Sequence, residues 1–257
     1  NNMFYVRIGR TLPEVYHSAL GVLYSFARHI DAPDWNTERL EVQMCMVVEE
    51  PLAEPMISKF TICDPKSLEQ YRLEMLDGIL DGSIDAGLEP YTYHDRIMKQ
   101  YEQCIDELKR NPHTTRACIN VRTQDDSGSS DPACLQHIQF MIRNGKLDMT
   151  VLFRSNDAVK ATFMNAFALI MIQKKVADEV GVPVGRYTHI ANSFHCYKED
   201  YESLNNFMNH FYETEDETEL CYEYVGDWKE MMDEEREGII QNMNNLKSRY
   251  ESCDSHE

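Results

Sequence analysis

Two hydrophobic periods alternate along this chain. FYVRIGR at residues 4–10 places apolar and polar side chains in turn, the period of a strand, and after Pro13 the segment EVYHSALGVLYSFARHI repeats apolar residues at helical spacing. Residues 31–39 read as a polar connection, and LEVQMCMVVEEPL as a strand closed by Pro51, with Pro55 extending a loop. SLEQYRLEMLDG, with Ser67 as its cap and Gly78 as its stop, predicts a helix carrying Glu69 and Glu74. YTYHDRIMKQYEQCIDELKRNPHTT predicts a second, ending near Pro112.

The period then returns to two. RACINVRT alternates, and the Ser, Gly and Asp-rich QDDSGSSDP is a loop that delivers the chain to Cys134. CLQHIQFMIRNGKLDMTVLFRS predicts a hairpin about Asn144-Gly145. Residues 157–180 predict a long apolar helix broken by Gly181 and Pro183, followed by the strand VGRYTHIANSFHCY and a helix over 198–211. An acidic run at 213–219 leads to a last amphipathic segment, WKEMMDEEREGIIQNMNNLKSRY. No repeat and no long linker divides the chain, so the expectation is one α+β domain over residues 1–257 with an acidic helical tail at about 212–257.

Composition narrows the function classes. Lys plus Arg number 25 against 44 Asp plus Glu, a net charge of -19, which argues against a nucleic-acid surface and leaves any anionic ligand to local arginines. No apolar run has membrane-spanning length, and the opening Asn1-Asn2-Met3-Phe4-Tyr5 lacks a signal-peptide pattern, so a cytoplasmic location without membrane contact is expected. The 8 cysteines show neither a CxxC pair nor zinc-like spacing, so no metal is expected.

Chemistry concentrates between Pro132 and Tyr197. Cys134 follows a turn-rich loop at the start of a strand, placed either as a presented nucleophile or as a buried thiol. Arg154 and Ser155 stand before the expected helix start, where a guanidinium fork grips a phosphate or simply faces solvent. Asp157 suits a ligand contact or the first helical turn. Asn165 in FMNAFALIMI must find hydrogen-bond partners if buried, and His195 and Tyr197 share one strand face.

The order Cys134, Gln139-Phe140, Arg154-Ser155-Asn156-Asp157, Asn165, His195-Cys196-Tyr197 resembles the thymidylate synthase and pyrimidine nucleotide hydroxymethylase superfamily. The likeness is specific over residues 91–197, and VEEPLAEP and YTYHDR look similar to archaeal-type members. The resemblance implies a large mixed sheet flanked by helices, with sheet faces packing in a homodimer. It also implies one-carbon transfer from 5,10-methylenetetrahydrofolate, or a related methylene-tetrahydropterin, to C5 of a pyrimidine nucleoside monophosphate.

In that chemistry Cys134 adds to C6, Tyr93 helps remove the C5 proton, and Asn165 with a carboxylate orients the base. Glu69 is the carboxylate of choice and Glu74 the second; Asp157 meets the base edge and cofactor ring. Arg154 and Ser155, joined by the partner subunit's Arg116, take the phosphate; Gln139 supports the nucleotide site, and His195 and Tyr197 take the ribose 3′-hydroxyl.

The chain departs from the family pattern at Leu135, usually histidine, at Thr115, usually arginine, and at Ala161, usually glycine. Its usual C-terminal closing segment is replaced by the acidic tail. Asn165 favours a uracil nucleotide, dUMP before UMP, because cytosine-directed members carry aspartate there. Methyl transfer is the primary expectation, 5-hydroxymethylation of dUMP, UMP or a cytosine nucleotide the alternative, and a non-catalytic nucleotide-binding module the third.

Overall fold

The period-two segments form one sheet. The structure, a computed structural model, describes residues 3–254; residues 1–2 and 255–257, at the ends of the opening stretch and of the predicted tail, lie outside the described residues.

In chain order the elements are β1 (Phe4–Gly9), α1 (Leu12–Phe26), β2 (Arg28–Ala32), β3 (Thr37–Val48), β4 (Ile57–Ser58), α2 (Pro65–Leu76) and α3 (Gly82–Asp85). There follow α4 (Tyr93–Arg110), β5 (Cys118–Asn120), β6 (Leu135–Arg143), β7 (Lys146–Phe153), β8 (Asn156–Asp157) and α5 (Thr162–Val180). The chain continues through β9 (Val184–Tyr197), α6 (Tyr201–Glu213), β10 (Cys221–Tyr222) and α7 (Lys229–Asp254). The expected α+β architecture is observed.

The sheet has eight strands in the order β1-β3-β9-β7-β6-β5, with β2 added to β3 and β8 to β9. It is mixed: β1 and β3, and β9 with β7 and β8, run parallel, while the other pairs are antiparallel. One face is closed by α1 and α5, whose Leu20, Leu23, Phe163, Phe167 and Ile170 meet Met44, Val151 and Tyr187 from the strands in one continuous core. The other face carries half-buried side chains. Registered neighbours Ile8, Val47, Thr188, Thr150, Gln139 and Cys118 cross it in a row, and no helix among the described residues covers them.

Several predicted boundaries move. The helix from Leu12 ends at Phe26, because the final Arg-His-Ile belongs to β2, which pairs antiparallel with β3 across what reads from sequence as a polar connection. α2 is capped by Asp64, whose carboxylate accepts the Ser67 N–H at 2.7 Å, so Ser67 is a capped residue rather than the cap. Asn144 and Gly145 both take positive φ (53° and 72°), the geometry a two-residue hairpin turn needs and the reason the Asn-Gly signal is reliable. The apolar helix starts at Thr162 rather than at Asp157, which pairs in β8 with His195 of β9. Asp157 is therefore not a first-turn carboxylate: its Oδ1 closes a turn by accepting the N–H groups of Val159 and Lys160.

Candidate active site

Cys134 sits immediately before β6, at the end of a loop bound on both sides. Arg154, leaving β7, donates its backbone N–H to the Cys134 carbonyl (2.9 Å), Nε to Ala133 O (3.0 Å) and Nη2 to Pro132 O (2.6 Å). Among the described residues the Nη1 edge of the guanidinium makes no contact of this kind. Upstream, Arg96 of α4 grips Asp126 through two bonds of 2.7 and 2.8 Å and stacks on the Tyr91 ring at 4.0 Å. This clamp gives no signal in the sequence, since its partners lie far apart in the chain.

The Cys134 thiol is half-buried, and burial raises its pKa above the ordinary value; Arg154 opposes the shift and Asp131 adds to it. Tyr93, the first residue of α4, lies beside it. Its hydroxyl accepts the Leu135 N–H at 3.3 Å, and burial, reinforced by Cys134, raises the phenol well above its usual range.

A buried chain of hydrogen bonds approaches from the core. Burial holds His189 neutral, with its pKa lowered to about 3. Its Nε2 faces Asn156 Oδ1 at 2.7 Å, an acceptor, so that nitrogen bears the proton and Nδ1 accepts from the Tyr187 hydroxyl at 2.8 Å. Asn156 Nδ2 then donates to Asn165 Oδ1 (3.0 Å), and Asn165 Nδ2 to the Tyr71 hydroxyl (2.5 Å). Asn165 is thus satisfied by side chains rather than by backbone, and its amide is oriented with nitrogen toward α2.

The two glutamates of α2 have opposite surroundings. Glu69, 1% exposed, is held by Arg72 (2.5 and 3.0 Å) and by Arg236 of α7 (3.1 Å). Glu74 accepts only from Gln70 at 3.3 Å, and burial raises its pKa; it lies near enough to Tyr71 to raise that phenol too. Glu69 is turned toward the tail helix, and Glu74 is on the side of Tyr71.

His195 is nearly buried, its ring 4.9 Å from that of Tyr197. Its Nδ1 lies 3.2 Å from both the hydroxyl and the carbonyl oxygen of Ser193, and that hydroxyl gives its proton to Glu41 at 2.6 Å. Nδ1 therefore donates, leaving Nε2 as an acceptor in the neutral ring. Burial lowers the His195 pKa, with Asp157 working against it.

Ser155 occupies the bend between β7 and β8, half-buried. Gln139 is on the open face, where Nε2 donates to Thr115 O at 3.0 Å and fastens the segment before the exposed Arg116. The structure brings Cys134, Tyr93 and Arg154 together, sets Tyr197 close enough to both Cys134 and Asp157 to feel their charge, and leaves Arg116 exposed.

The thymidylate synthase family model matches residues 66–234, a span that includes every one of these groups except Glu41 and Arg236. The chain belongs to the thymidylate synthase family. A provisionally named thymidylate synthase of Methanocaldococcus jannaschii is 36% identical over 154 residues, 56% of this chain and 69% of the relative. One of Methanosarcina barkeri is 25% identical over 202 residues, covering 77% and 92%. Thymidylate synthase A of Bacillus subtilis has the same fold, with a TM-score of 0.63 over 78% of this chain and 84% of that one at 17% identity.

As a family member the protein is a one-carbon transferase of the pyrimidine C5 class, an enzyme of nucleotide biosynthesis. Among the described residues no helix is long and apolar enough to cross a membrane.

Proposed function

We propose that the protein methylates dUMP at C5 by way of a covalent Cys134 adduct at C6. The observation that carries this reading is the Arg154 clamp: one side chain fixes the loop that presents the thiol, lowers the thiol's pKa against burial, and keeps its Nη1 edge for a phosphate. Ser155 adds a hydroxyl there, and the partner subunit's Arg116 adds a second guanidinium.

Addition of the thiolate to C6 moves the ring's π pair toward O4 and makes C5 a carbon nucleophile. The thiol proton leaves to solvent beforehand. Tyr93, next to Cys134, helps remove the C5 proton in the later elimination by orienting the water that takes it, and Glu74, not Glu69, is the carboxylate that handles protons at the base edge.

The orientation of Asn165 supports uracil. Its Nδ2 is the atom turned to the site, a donor that matches the O4 carbonyl and opposes the amino group of cytosine. The His195 Nε2 lone pair and the Tyr197 hydroxyl suit the ribose 3′-hydroxyl.

A reduced folate or pterin supplies the methylene carbon and, for a methyl product, the hydride. Asp157 fits such a group: Oδ1 is spent on its own turn, while Oδ2 accepts no hydrogen bond among the described residues and is left for a pterin N–H edge.

The uncovered sheet face supports a homodimer joined sheet to sheet, since the exposed Phe4, Val6 and Ile8 continue the apolar row across β1. Incubation with 5-fluoro-dUMP and methylenetetrahydrofolate should give a ternary covalent adduct by mass spectrometry, lost in Cys134→Ser. Nucleotide binding without adduct in the wild type would show a binding module instead. With dUMP, UMP, dCMP and CMP supplied separately, product mass distinguishes methyl from hydroxymethyl.

A further inference from the structure

Tyr71 stands at the outer end of the buried hydrogen-bond chain, and the direction of that chain is fixed from the inside. Tyr187 donates to His189, His189 to Asn156, Asn156 to Asn165, and Asn165 to the Tyr71 oxygen. At each step the receiving atom is committed as an acceptor, so its neighbour has to be the donor. Tyr71 receives at its oxygen, and its own hydrogen has no acceptor among the described residues.

The second hydrogen of Asn165 Nδ2 is in the same position. Two uncommitted donors, the Tyr71 O–H and the Asn165 N–H, therefore lie side by side across a contact of 2.5 Å.

Their place in the fold gives the pair a target. Tyr71 is close enough to Tyr93 for that phenol to help raise its pKa, and Tyr93 bonds the residue after Cys134. Tyr71 is half-buried on α2, one helical turn from Glu74, and packed against the core. Its phenol is raised well above the ordinary range, first by burial, so it keeps its proton.

We infer that Tyr71 is a further catalytic residue, a hydrogen-bond donor that with Asn165 stabilises the oxyanion developing at O4 when Cys134 adds to C6. The inference rests on the covalent mechanism above. In the step the sulfur–C6 bond forms, the C5–C6 π pair shifts so that negative charge gathers on O4, and Tyr71 shares its hydrogen without releasing it. The pair returns to C5 when the new carbon–carbon bond forms. Donors held in place before the charge appears cost no reorganisation, the condition under which such bonds are strongest.

The test uses full-length protein and its Tyr71→Phe variant. The expected result is dUMP affinity near wild type by calorimetry, with adduct formation from 5-fluoro-dUMP and methylenetetrahydrofolate slowed about 10²–10³-fold. An adduct rate equal to wild type in folded Tyr71→Phe overturns the role of Tyr71 while leaving the covalent mechanism standing. Absence of adduct in the wild type, with dUMP still bound, overturns both.

Should Tyr71→Phe not fold, site-specific 3,5-difluorotyrosine at position 71 retains the shape of the ring and makes the phenol more acidic. A changed donor acidity should then change the rate of adduct formation at fixed pH, with dUMP affinity near wild type, and an unchanged rate overturns the proposal.

Discussion

Arg236, on the last helix, meets Glu69 of α2 at 3.1 Å and completes the pairing of a carboxylate that is 1% exposed. Removing a buried partner leaves charge unpaired, so Glu69→Ala should destabilise the fold by about 3–5 kcal/mol in urea unfolding. Glu74→Gln should do the reverse, leaving stability near wild type and slowing turnover at least tenfold. Full activity per folded molecule in Glu74→Gln, with loss in Glu69→Gln, would return the catalytic assignment to Glu69.

Arg154 opposes the effect of burial on Cys134. Arg154→Ala should therefore move the pH profile of Cys134 alkylation by iodoacetamide to more alkaline values and weaken dUMP binding at least tenfold. A profile that stays in place would mean that the guanidinium does not act on the thiol.

His189 is held neutral in the fold, with its pKa lowered from 6.5 to about 3. Above pH 6.5 neither folded nor unfolded protein carries this charge. As pH falls from 6.5 toward 3 the unfolded chain alone takes up the proton, so stability declines, by about 2 kcal/mol at pH 5 from this residue. Urea titrations at pH 7.5 and pH 5 measure the loss, and His189→Gln should flatten that acid limb.

If the partner subunit's Arg116 completes each phosphate site, two inactive variants can restore one another. Cys134→Ser mixed with Arg116→Glu, then dissociated and reassociated, should recover roughly a quarter of wild-type activity, the share expected from random pairing of protomers. No recovery from a mixture shown to contain heterodimers would place Arg116 in its own subunit's site or in none.

Asn165→Asp replaces the oriented donor by an acceptor. Relative turnover should shift from uracil toward cytosine nucleotides, and an unchanged ratio of dUMP to dCMP turnover would remove the substrate argument.

What sequence makes legible follows from how local each signal is. The Asn144-Gly145 turn and the first half of β9 are local, one demanding positive φ and the other a two-residue alternation from Gly185 to Ala191, and both appear as expected. β2 was hidden because Arg28-His29-Ile30 continues a helical spacing, and only pairing with β3 makes it a strand. Residues 157–161 look helical by composition, yet the pairing of Asp157 with His195 across β8 and β9 holds their start extended.

The site divides in the same way. Cys134, Arg154, Asn165, His195 and Tyr197 stand out as polar or reactive groups in apolar or turn settings. Tyr71 does not, because a tyrosine in an amphipathic helix is ordinary until the helix is rotated against α5. That same rotation turns Glu69 toward an arginine far along the chain and leaves Glu74 near Tyr71.

The row of bonds from Tyr187 to Tyr71 has one sense throughout, each member giving in the direction of the pocket. No single amide in it can turn over alone, because reversing one forces its neighbours to reverse. The mutational footprint of the active site should consequently be wider than its contact surface: a change at the fully buried Tyr187 is expected to reach substrate choice by loosening which way an asparagine faces.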